Sequence, residues 1–205
     1  MHIAVSGNIG SGKTTLTEKL AKHYGWQAEF EAVDENPYLA DFYKDMERWS
    51  FHLQVYFLNS RFNQIQKIRA SQLSIVQDRT IYEDAYIFAA NLQKSKLISE
   101  RDYQNYLSLF NSMIEYVEAP DLLIYLKADI PKLVGQIEKR GRDYENSIRI
   151  DYLKNLNTHY EEWIGNYDKG KLLIVDVNHL DFVANTEDFS GIVSKIDREI
   201  NGLFV

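Results

Sequence analysis

The feature that most constrains the fold of this chain is the segment at residues 7–14, which reads G-N-I-G-S-G-K-T. It is a complete G-x-x-x-x-G-K-[ST] phosphate-binding loop, in which tightly turned backbone N–H groups converge on a phosphate. The short apolar segment at residues 3–6 precedes it as a buried strand would. Residues 14–24 follow with apolar residues at helical spacing, and Gly25 predicts a left-handed helix stop. This order of strand, loop and helix predicts a binding site for a nucleoside triphosphate.

The residues of the loop have separate expected roles in binding ATP. The Lys13 ammonium is expected to reach the β- and γ-phosphates, and the Thr14 hydroxyl to ligate Mg²⁺. The amino end of the following helix adds partial positive charge to the site. A glycine-rich turn that binds nothing is the alternative, which the lysine–threonine pair and both flanks disfavour. The loop residues predicted to bind ATP are Gly7, Asn8, Ile9, Gly10, Ser11, Gly12, Lys13, Thr14 and Thr15.

The composition limits the class of protein and of partner. A chain of 205 residues that is 45% hydrophobic predicts a single globular domain over residues 1–205. Its net charge of −7 disfavours a nucleic-acid polymer, because contacts to phosphates need a basic surface. The absence of cysteine excludes disulfides and thiolate metal sites. No apolar run approaches the ~18 residues that span a membrane. The loop at residue 7 leaves no room for a signal peptide, so we expect a soluble, cytoplasmic protein.

Five short apolar segments alternate with helical stretches along the chain. They are residues 3–6, 28–32, 73–77, 122–126 and 172–175. This alternation predicts an α/β fold in which a five-stranded parallel sheet carries helices on both faces. With a phosphate-binding loop after the first strand, this is the P-loop NTPase fold. In such a sheet, ligands bind outside the carboxyl ends of the strands.

Residues 45–70 contain no glycine or proline and predict one long helix. Two apolar stripes run along it, Phe51-Val55-Leu58-Phe62-Ile65 and Met46-Trp49-Leu53-Phe57. Such a helix is expected to pack between neighbouring elements or against another subunit. Glu47, Gln54 and Arg61 recur at intervals of seven and share a further face. A polar row is usually solvated, but glutamine and arginine also read the edges of nucleobases.

Acidic residues follow the second predicted strand, at the edge of the sheet where an acceptor would bind. Residues 31–35 read E-A-V-D-E, with three acids and no base. A carboxylate can accept the proton of an alcohol during phosphoryl transfer, whereas a phosphate-bearing acceptor would need cations there. The segment therefore favours an alcohol acceptor. For Glu31 itself, a solvent-exposed acid at a strand end is the alternative.

Asp78 and Arg79 follow the third predicted strand and have different expected roles. Asp78 is expected to order Mg²⁺ through water, as an acid after a core strand does in phosphate-loop proteins. Arg79 is a candidate to keep Glu31 ionised and to contact the transferring phosphoryl group. A plain salt bridge between Arg79 and a neighbour is the alternative.

Two arginines, Arg140 and Arg142, flank Gly141 after a helix predicted to start near Asp129 with Pro131 in its first turn. They predict an arginine lid that closes over the phosphates of ATP and neutralises the charge that develops during transfer. A solvated basic helix end, favoured by the helix dipole, is the alternative.

Five ordered segments of the chain match one family of enzymes. They read G-N-I-G-S-G-K-T, E-A-V-D-E-N-P-Y, F-Y-K-D-M-E-R-W-S-F-H-L-Q, D-R-T-I-Y-E-D and R-G-R-D-Y-E. Together they resemble the deoxynucleoside kinase family, from the loop to about Phe182. The resemblance implies transfer of the γ-phosphoryl group of ATP, with Mg²⁺, to the 5′-hydroxyl of a deoxynucleoside in nucleotide salvage. It also implies a homodimer built through a helix bundle, which the two apolar stripes of the long helix would fit.

The resemblance implies roles for residues at the acceptor hydroxyl and the sugar. Glu31 corresponds to the carboxylate that activates the 5′-hydroxyl. Asp78 matches an acid that is sometimes named as the proton acceptor, and we favour Glu31 as base with Asp78 organising the metal. Tyr43 and Glu145 would hold the 3′-hydroxyl. The residues expected to take part in catalysis are therefore Glu31, Asp78 and Arg79.

The resemblance also implies how the base is held. Gln54 would pair with it, Phe88 would stack on it, and Arg61 and Asp84 would lie beside it as a charged pair. The segments are most similar to the bacterial branch, so deoxyadenosine is expected as the preferred substrate, followed by deoxyguanosine or deoxycytidine. The full set expected to bind substrate is Glu31, Tyr43, Gln54, Arg61, Arg79, Asp84, Phe88 and Glu145.

Three positions depart from the family's pattern. Asn36 stands where many members have a tryptophan, and Ala32 where a proline usually follows the catalytic glutamate. Gln136 lies one turn before Arg140, where relatives often have a third lid arginine, so the strength of phosphate clamping is in question. Two other functions remain open: a nucleoside monophosphate kinase of thymidylate type and a non-catalytic nucleotide-binding switch. The base-reading N-K-x-D of GTPases is absent.

Overall fold

The computed structural model describes residues 1–30, 36–142 and 148–202. The described strands form one five-stranded sheet in the order β2-β3-β1-β4-β5. All four pairings between neighbouring strands are parallel. The strands are β1 (His2–Gly7), β2 (Gln27–Glu29), β3 (Ile75–Asp78), β4 (Leu122–Lys127) and β5 (Lys171–Asp176). The predicted α/β architecture with a parallel sheet is therefore confirmed.

The helices connect the strands and include one segment of π-helix. The described helices are α1 (Lys13–Tyr24), α2 (Leu39–Lys44), α3 (Met46–Ala70), α4 (Ile81–Glu83), α5 (Ala90–Lys94), α6 (Glu100–Ile114), α7 (Ile130–Arg140), α8 (Ile150–Gly165) and α9 (Thr186–Asn201). The π-helical segment, Asp84–Ala89, lies between α4 and α5. In the described ranges, no helix combines the length and the apolarity needed to cross a bilayer.

Helices cover both faces of the sheet, as the alternating segments predict. On one face, Val5 of β1 packs in a cluster with Leu16 of α1 and with residues of α7 and α9. On the other face, Tyr125 of β4 packs with Ile87 of the π-helical segment and Tyr160 of α8. The central strands are buried on both sides, which explains why they read as continuous apolar runs in the sequence.

The bounds of all five strands differ from the predicted bounds by one to three residues, most at the second and third strands. The third strand begins at Ile75 and not at residue 73, because Leu73 is 62% exposed and takes no part in the pairing. The second strand ends at Glu29, and the predicted residues 31 and 32 lie outside the described residues. The predicted helix stop is confirmed, since Gly25 has a φ of 67° and follows α1 directly.

The long helix α3 is packed between neighbouring elements, as predicted. Its stripe that includes Leu58 packs against Phe110 of α6, and its stripe that includes Leu53 packs against Phe42 of α2. Its start lies one residue after the prediction, because the Asp45 side chain caps the helix by accepting from a backbone N–H 3.2 Å away.

Two of the three residues in the predicted polar row on α3 are buried. Glu47 is exposed, but Gln54 and Arg61 are each only 3% exposed. Buried polar groups need hydrogen-bond partners or a ligand, so the position of these two side chains points to a site beside the helix.

Candidate active site

The loop between β1 and α1 has the backbone that its glycines predict. Gly10 has a φ of 84° and Gly12 a φ of 95°, conformations that residues with a side chain rarely adopt. A Cβ atom at Gly10 would lie 2.7 Å from the backbone oxygen of Leu133, and one at Gly12 would lie 2.8 Å from the ring of Phe182. Both positions therefore require glycine for the backbone conformation and for the space available.

Hydrogen bonds from the loop fix its shape and its place against α8. The Lys13 ammonium donates to the backbone oxygen of Asn8 over 3.0 Å, so the lysine side chain folds back over the loop. The Asn8 amide nitrogen donates to the backbone oxygen of Leu153 (3.0 Å) and to the side-chain oxygen of Asn157 (2.5 Å). Asn8 thus anchors the loop on α8.

Asp78 lies at the carboxyl end of β3, beside the loop that follows β1. The Thr14 hydroxyl donates to its Oδ2 atom over 2.6 Å. The carboxyl is 4% exposed, and its Oδ1 atom has no hydrogen-bond partner within the described part of the chain. A buried carboxylate oxygen without a donor is costly unless a cation or water meets it. A hydroxyl and a carboxylate are oxygen ligands suited to Mg²⁺, so these residues fit the metal.

Arg79 is held in an unusual backbone conformation with a φ of 71°. Its N–H donates to the backbone oxygen of Val5 over 2.9 Å, which ties the turn to the neighbouring strand. Its guanidinium donates to the Tyr160 hydroxyl (3.0 Å), lies 3.5 Å from a Glu83 oxygen, and sits 4.5 Å from the ring centre of Phe88. A strained, many-contact arginine beside a phosphate loop is typical of a functional site and goes beyond a plain salt bridge.

One cavity of about 600 Å³ joins the loop to residues from α3, the π-helical segment and α7. Its volume lies in the range of sites for small organic ligands. The residues predicted for the site that line it are Ile9, Gly10, Lys13, Thr14, Tyr43, Gln54, Asp78, Arg79, Asp84, Phe88, Arg140 and Arg142. The fold thus brings residues that are far apart in the chain into one cavity.

Some residues predicted for the site do not line the cavity. Among the described residues these are Gly7, Asn8, Ser11, Gly12, Thr15 and Arg61. The Arg61 Nε atom lies 3.4 Å from Oδ2 of Asp84, and both side chains are 3% exposed. A terminal nitrogen of Arg61 also donates to the backbone oxygen of Asp78 over 3.2 Å. Arg61 therefore connects the carboxyl end of β3 to Asp84. It contacts these two lining residues without lining the cavity itself.

Gln54 offers a polar atom of the cavity wall to a ligand. The side chain is 3% exposed, and its Oε1 atom is buried without a partner in the described residues. Such an acceptor is normally satisfied by a donor of a ligand or by water. Tyr43 lines the same cavity.

The π-helical segment Asp84–Ala89 carries both Asp84 and Phe88 to the cavity. It begins directly after α4, where Thr80 and Glu83 form a capping box. Segments of π-helix are uncommon and occur frequently at functional sites, because the wider turn changes the direction of the side chains. Phe88 packs against the Arg79 guanidinium as well as lining the cavity, a contact that the sequence did not predict.

The two arginines of the predicted lid lie at the end of α7 and directly after it. Arg140 is the last residue of the helix, and Gly141 ends it with a φ of 65°. Arg140 is exposed, but both Arg140 and Arg142 line the cavity. This position is compatible with the predicted lid, whose role stays a prediction. Gln136, one turn earlier, is exposed.

Two residues predicted for the site, Glu31 and Glu145, lie outside the described residues, as does Ala32. Phe30, the residue directly before Glu31, lines the cavity. The roles predicted for these two glutamates remain predictions.

Several lining residues were missed by the sequence reasoning. They are Glu18, Ala28, Phe30, Leu39, Phe42, Leu53, Phe57 and Tyr152. Leu53 and Phe57 belong to an apolar stripe that indicated only packing, although Leu53 directly precedes Gln54 and Phe57 follows it by three residues. Nothing in the sequence around Tyr152 signalled a site. Burial raises the pKa of its hydroxyl to about 12, so this phenol stays protonated at neutral pH.

Comparison with known proteins agrees with this geometry. The model of the deoxynucleoside kinase family matches residues 3–201. A deoxyadenosine/deoxycytidine kinase of Bacillus subtilis is 41% identical over 201 residues, which cover 97% of this chain and 93% of that protein. A deoxyadenosine kinase of Dictyostelium discoideum is 42% identical over 182 residues, covering 89% of this chain and 74% of that protein.

Solved structures of a related enzyme have the same fold. Deoxyadenosine kinase from M. mycoides, with the products dCMP and dCDP bound, superposes with a TM-score of 0.87 at 31% identity, covering 96% of this chain and 99% of that chain. Its structure with bound dATP gives a TM-score of 0.85 at the same identity and coverage. These proteins bind nucleotides in the P-loop NTPase-like fold that the five-stranded sheet forms here. The chain belongs to the deoxynucleoside kinase family and is a kinase.

Proposed function

We propose that this protein transfers the γ-phosphoryl group of ATP, with Mg²⁺, to the 5′-hydroxyl of a deoxynucleoside, with deoxyadenosine preferred, as a step of nucleotide salvage. The observation that carries the proposal is the 2.6 Å contact between Thr14 and Asp78. It brings two oxygen ligands for Mg²⁺ to the wall of the cavity that also contains Arg79 and Gln54. Donor chemistry and acceptor recognition thus share one space.

The donor end of the reaction depends on cationic and N–H groups. Lys13, Arg140 and Arg142 line the cavity beside the loop, where they would bind the phosphates of ATP. Bound Mg²⁺, held by Thr14 directly and by Asp78 through water, would supply neutralisation of phosphate charge. Arg79 would contact the phosphoryl group during its transfer, when its charge is most developed.

The acceptor hydroxyl needs a group that takes its proton. Asp78 already accepts from Thr14 through one oxygen, which supports a role at the metal. We therefore assign the role of proton acceptor to Glu31. In the sequence this residue comes after β2 and directly after Phe30, which lines the cavity. Tyr43 and Glu145 would hold the 3′-hydroxyl, and a deoxyribose that is fixed at both ends would keep its 5′-oxygen near the γ-phosphorus.

The base would lie between Gln54, Phe88 and Asp84. The Oε1 atom of Gln54, which has no partner among the described residues, would accept from an exocyclic amino group, such as N6 of adenine or N4 of cytosine. Thymine has a methyl group and no amino group, so it would form fewer hydrogen bonds with the polar wall of the cavity. The names of the relatives from B. subtilis and D. discoideum support deoxyadenosine as the preferred substrate.

The two other functions that the sequence left open are disfavoured. A monophosphate acceptor would place a phosphate beside the acidic segment at residues 31–35, with repulsion between like charges. A non-catalytic switch that binds only a nucleotide would not need a cavity that extends from the loop to Gln54 and Asp84. Membership of the deoxynucleoside kinase family, rather than of a monophosphate kinase family, argues against both.

We also propose a homodimer. Both apolar stripes of α3 pack within the chain, so they give less support than the sequence suggested. The support comes from large apolar side chains that stay exposed beside α3: Leu109 of α6 at 39% and Tyr116 at 63%. Sedimentation of the purified protein tests the proposal, and a monomer at micromolar concentration would contradict it.

The proposed reaction is tested by assaying four deoxynucleosides and dAMP as acceptors with ATP and Mg²⁺. Formation of a deoxynucleoside 5′-monophosphate, fastest with deoxyadenosine, is the expected result. Thymidine as the best acceptor would contradict the base preference. Phosphorylation of dAMP with no reaction of deoxyadenosine would contradict the acceptor, and omission of Mg²⁺ should abolish the activity.

A further inference from the structure

A buried carboxylate and a buried phenol meet behind the Arg79 guanidinium. Glu83 of α4 and Tyr160 of α8 are each 0% exposed. The Tyr160 hydroxyl donates to Oε1 of Glu83 over 2.8 Å and accepts from the Arg79 guanidinium over 3.0 Å. The same Glu83 oxygen lies 3.5 Å from the guanidinium. The three groups form one chain of hydrogen bonds from the core to the cavity wall.

Local structure does not account for this arrangement. The capping box at the start of α4 uses Oε2 of Glu83, which accepts from the backbone N–H (2.8 Å) and hydroxyl (3.2 Å) of Thr80. Oε1 is not needed for the cap and is directed to Tyr160 and Arg79. A glutamine at this position would keep an acceptor for the cap without burying a charge, so the carboxylate has a further role.

The protonated Tyr160 hydroxyl is suited to hold an arginine. Burial, and then the neighbouring Glu83 carboxylate, raise the pKa of Tyr160 well above its ordinary value of 10.0. The phenol therefore stays protonated, so it can donate to the carboxylate and accept from the guanidinium at once. Hydrogen bonds to charged groups are stronger than neutral ones and fix the direction of the donor.

We propose that Glu83 and Tyr160 are positioning residues, which hold the Arg79 guanidinium in the orientation that phosphoryl transfer requires. They do not line the cavity and would act only through Arg79. The ring of Phe88, whose centre lies 4.5 Å from the guanidinium carbon, also packs against the arginine. The inference rests on the proposed function, in which Arg79 contacts the transferring phosphoryl group.

The test compares two tyrosines of one core cluster. Tyr125 stacks on Tyr160 at 5.7 Å between ring centres and is also buried, but its hydroxyl bonds to Glu161 over 3.2 Å. Tyr160→Phe should lower kcat for deoxyadenosine by roughly 10- to 100-fold, since a small misplacement of a catalytic group has that cost. The KM values for ATP and deoxyadenosine should change less than about threefold. Tyr125→Phe should leave kcat unchanged.

A double variant separates positioning from a general effect on the core. If Tyr160 acts through Arg79, Tyr160→Phe should add no further loss of kcat to Arg79→Lys, because the arginine that it holds is gone. Glu83→Gln, which keeps the cap of α4, should lower kcat as Tyr160→Phe does.

The outcomes distinguish this inference from the proposed function. Additive losses in the double variant, an equal loss in Tyr125→Phe, or unchanged kcat in both Tyr160→Phe and Glu83→Gln would overturn it. Unfolding of Tyr160→Phe together with a normal kcat in Glu83→Gln would also overturn it, since the hydroxyl would then be structural. A wild-type protein that phosphorylates no deoxynucleoside would instead overturn the proposed function.

Discussion

Replacing Asp78 by asparagine separates the metal from the fold. The amide has the shape of the carboxylate, and its oxygen can still accept from the Thr14 hydroxyl, which lies 2.6 Å from Oδ2 in the structure. The other carboxylate oxygen, buried and without a partner among the described residues, becomes an amide nitrogen. The substitution therefore removes one negative charge from the proposed Mg²⁺ site with little change of volume.

The expected effects on activity and stability have opposite signs. Groups that orient a metal through its water ligands typically contribute about 10- to 100-fold in metal affinity. The Mg²⁺ concentration that gives half-maximal activity should rise by that factor, which corresponds to about 1.4–2.7 kcal/mol. In the metal-free protein, the substitution removes a buried negative charge, so the melting temperature should stay the same or rise.

The assay is the initial rate at saturating ATP and deoxyadenosine over a series of free Mg²⁺ concentrations, with melting curves recorded in EDTA. Asp121→Asn is the matched control, because Asp121 lies at the amino end of β4, whereas Asp78 lies at the carboxyl end of β3. The Asp121 side chain accepts from the backbone N–H of His2 over 2.7 Å. This variant loses the same charge and should keep the wild-type Mg²⁺ dependence. An unchanged Mg²⁺ dependence with a large loss of kcat in Asp78→Asn would refute the reasoning and make Asp78 the proton acceptor.

The remaining predictions concern the base, the lid and the recognition of substrate. Glu31→Gln should lower kcat by roughly 10²–10⁴-fold with a much smaller change in KM; near-normal kcat would exclude Glu31 as the base. Arg140→Ala and Arg142→Ala should each lower kcat, while calorimetry without ATP should give nearly unchanged nucleoside binding; misfolding of either variant would make its arginine structural. The pair Asp84→Ala with Arg61→Met should change discrimination among the four deoxynucleosides, measured as kcat/KM, by about 1–3 kcal/mol. The same ranking as in the wild type would contradict the assigned base site.

Local sequence patterns predicted the parts of the site that are formed by residues close together in the sequence. Residues 7–14 form a loop whose glycines, lysine and threonine need only each other to bind a phosphate, so their spacing is informative. The end of the third strand at Asp78 and the helix end at Arg140 follow from apolar runs and from glycine in the same way. The interpretation of Gln54 as a reader of a base gains support from its burial, which helical spacing alone did not reveal.

Other parts depend on contacts between distant segments and had no local signal. Tyr160 lies 81 residues after Arg79, and only the packing of α8 against the sheet brings them together. Leu53 and Phe57 line the cavity from a stripe that is equally suited to a core, because an apolar wall and a core need the same side chains. The π-helical turn from Asp84 to Ala89 could not be predicted from a periodicity that assumes an ordinary helix.

The strand order also has a consequence for the synthesis of the chain. β1 pairs with β3, through His2 and Ile75, and with β4, through Ile3 and Leu122. In the described residues β2 also pairs with β3 and not with β1. No strand pair of this sheet can therefore form on the ribosome before residues 75–78 have emerged. Until then, the apolar strand β1 has no strand to pair with, so this is the period when the newly made chain most needs chaperones.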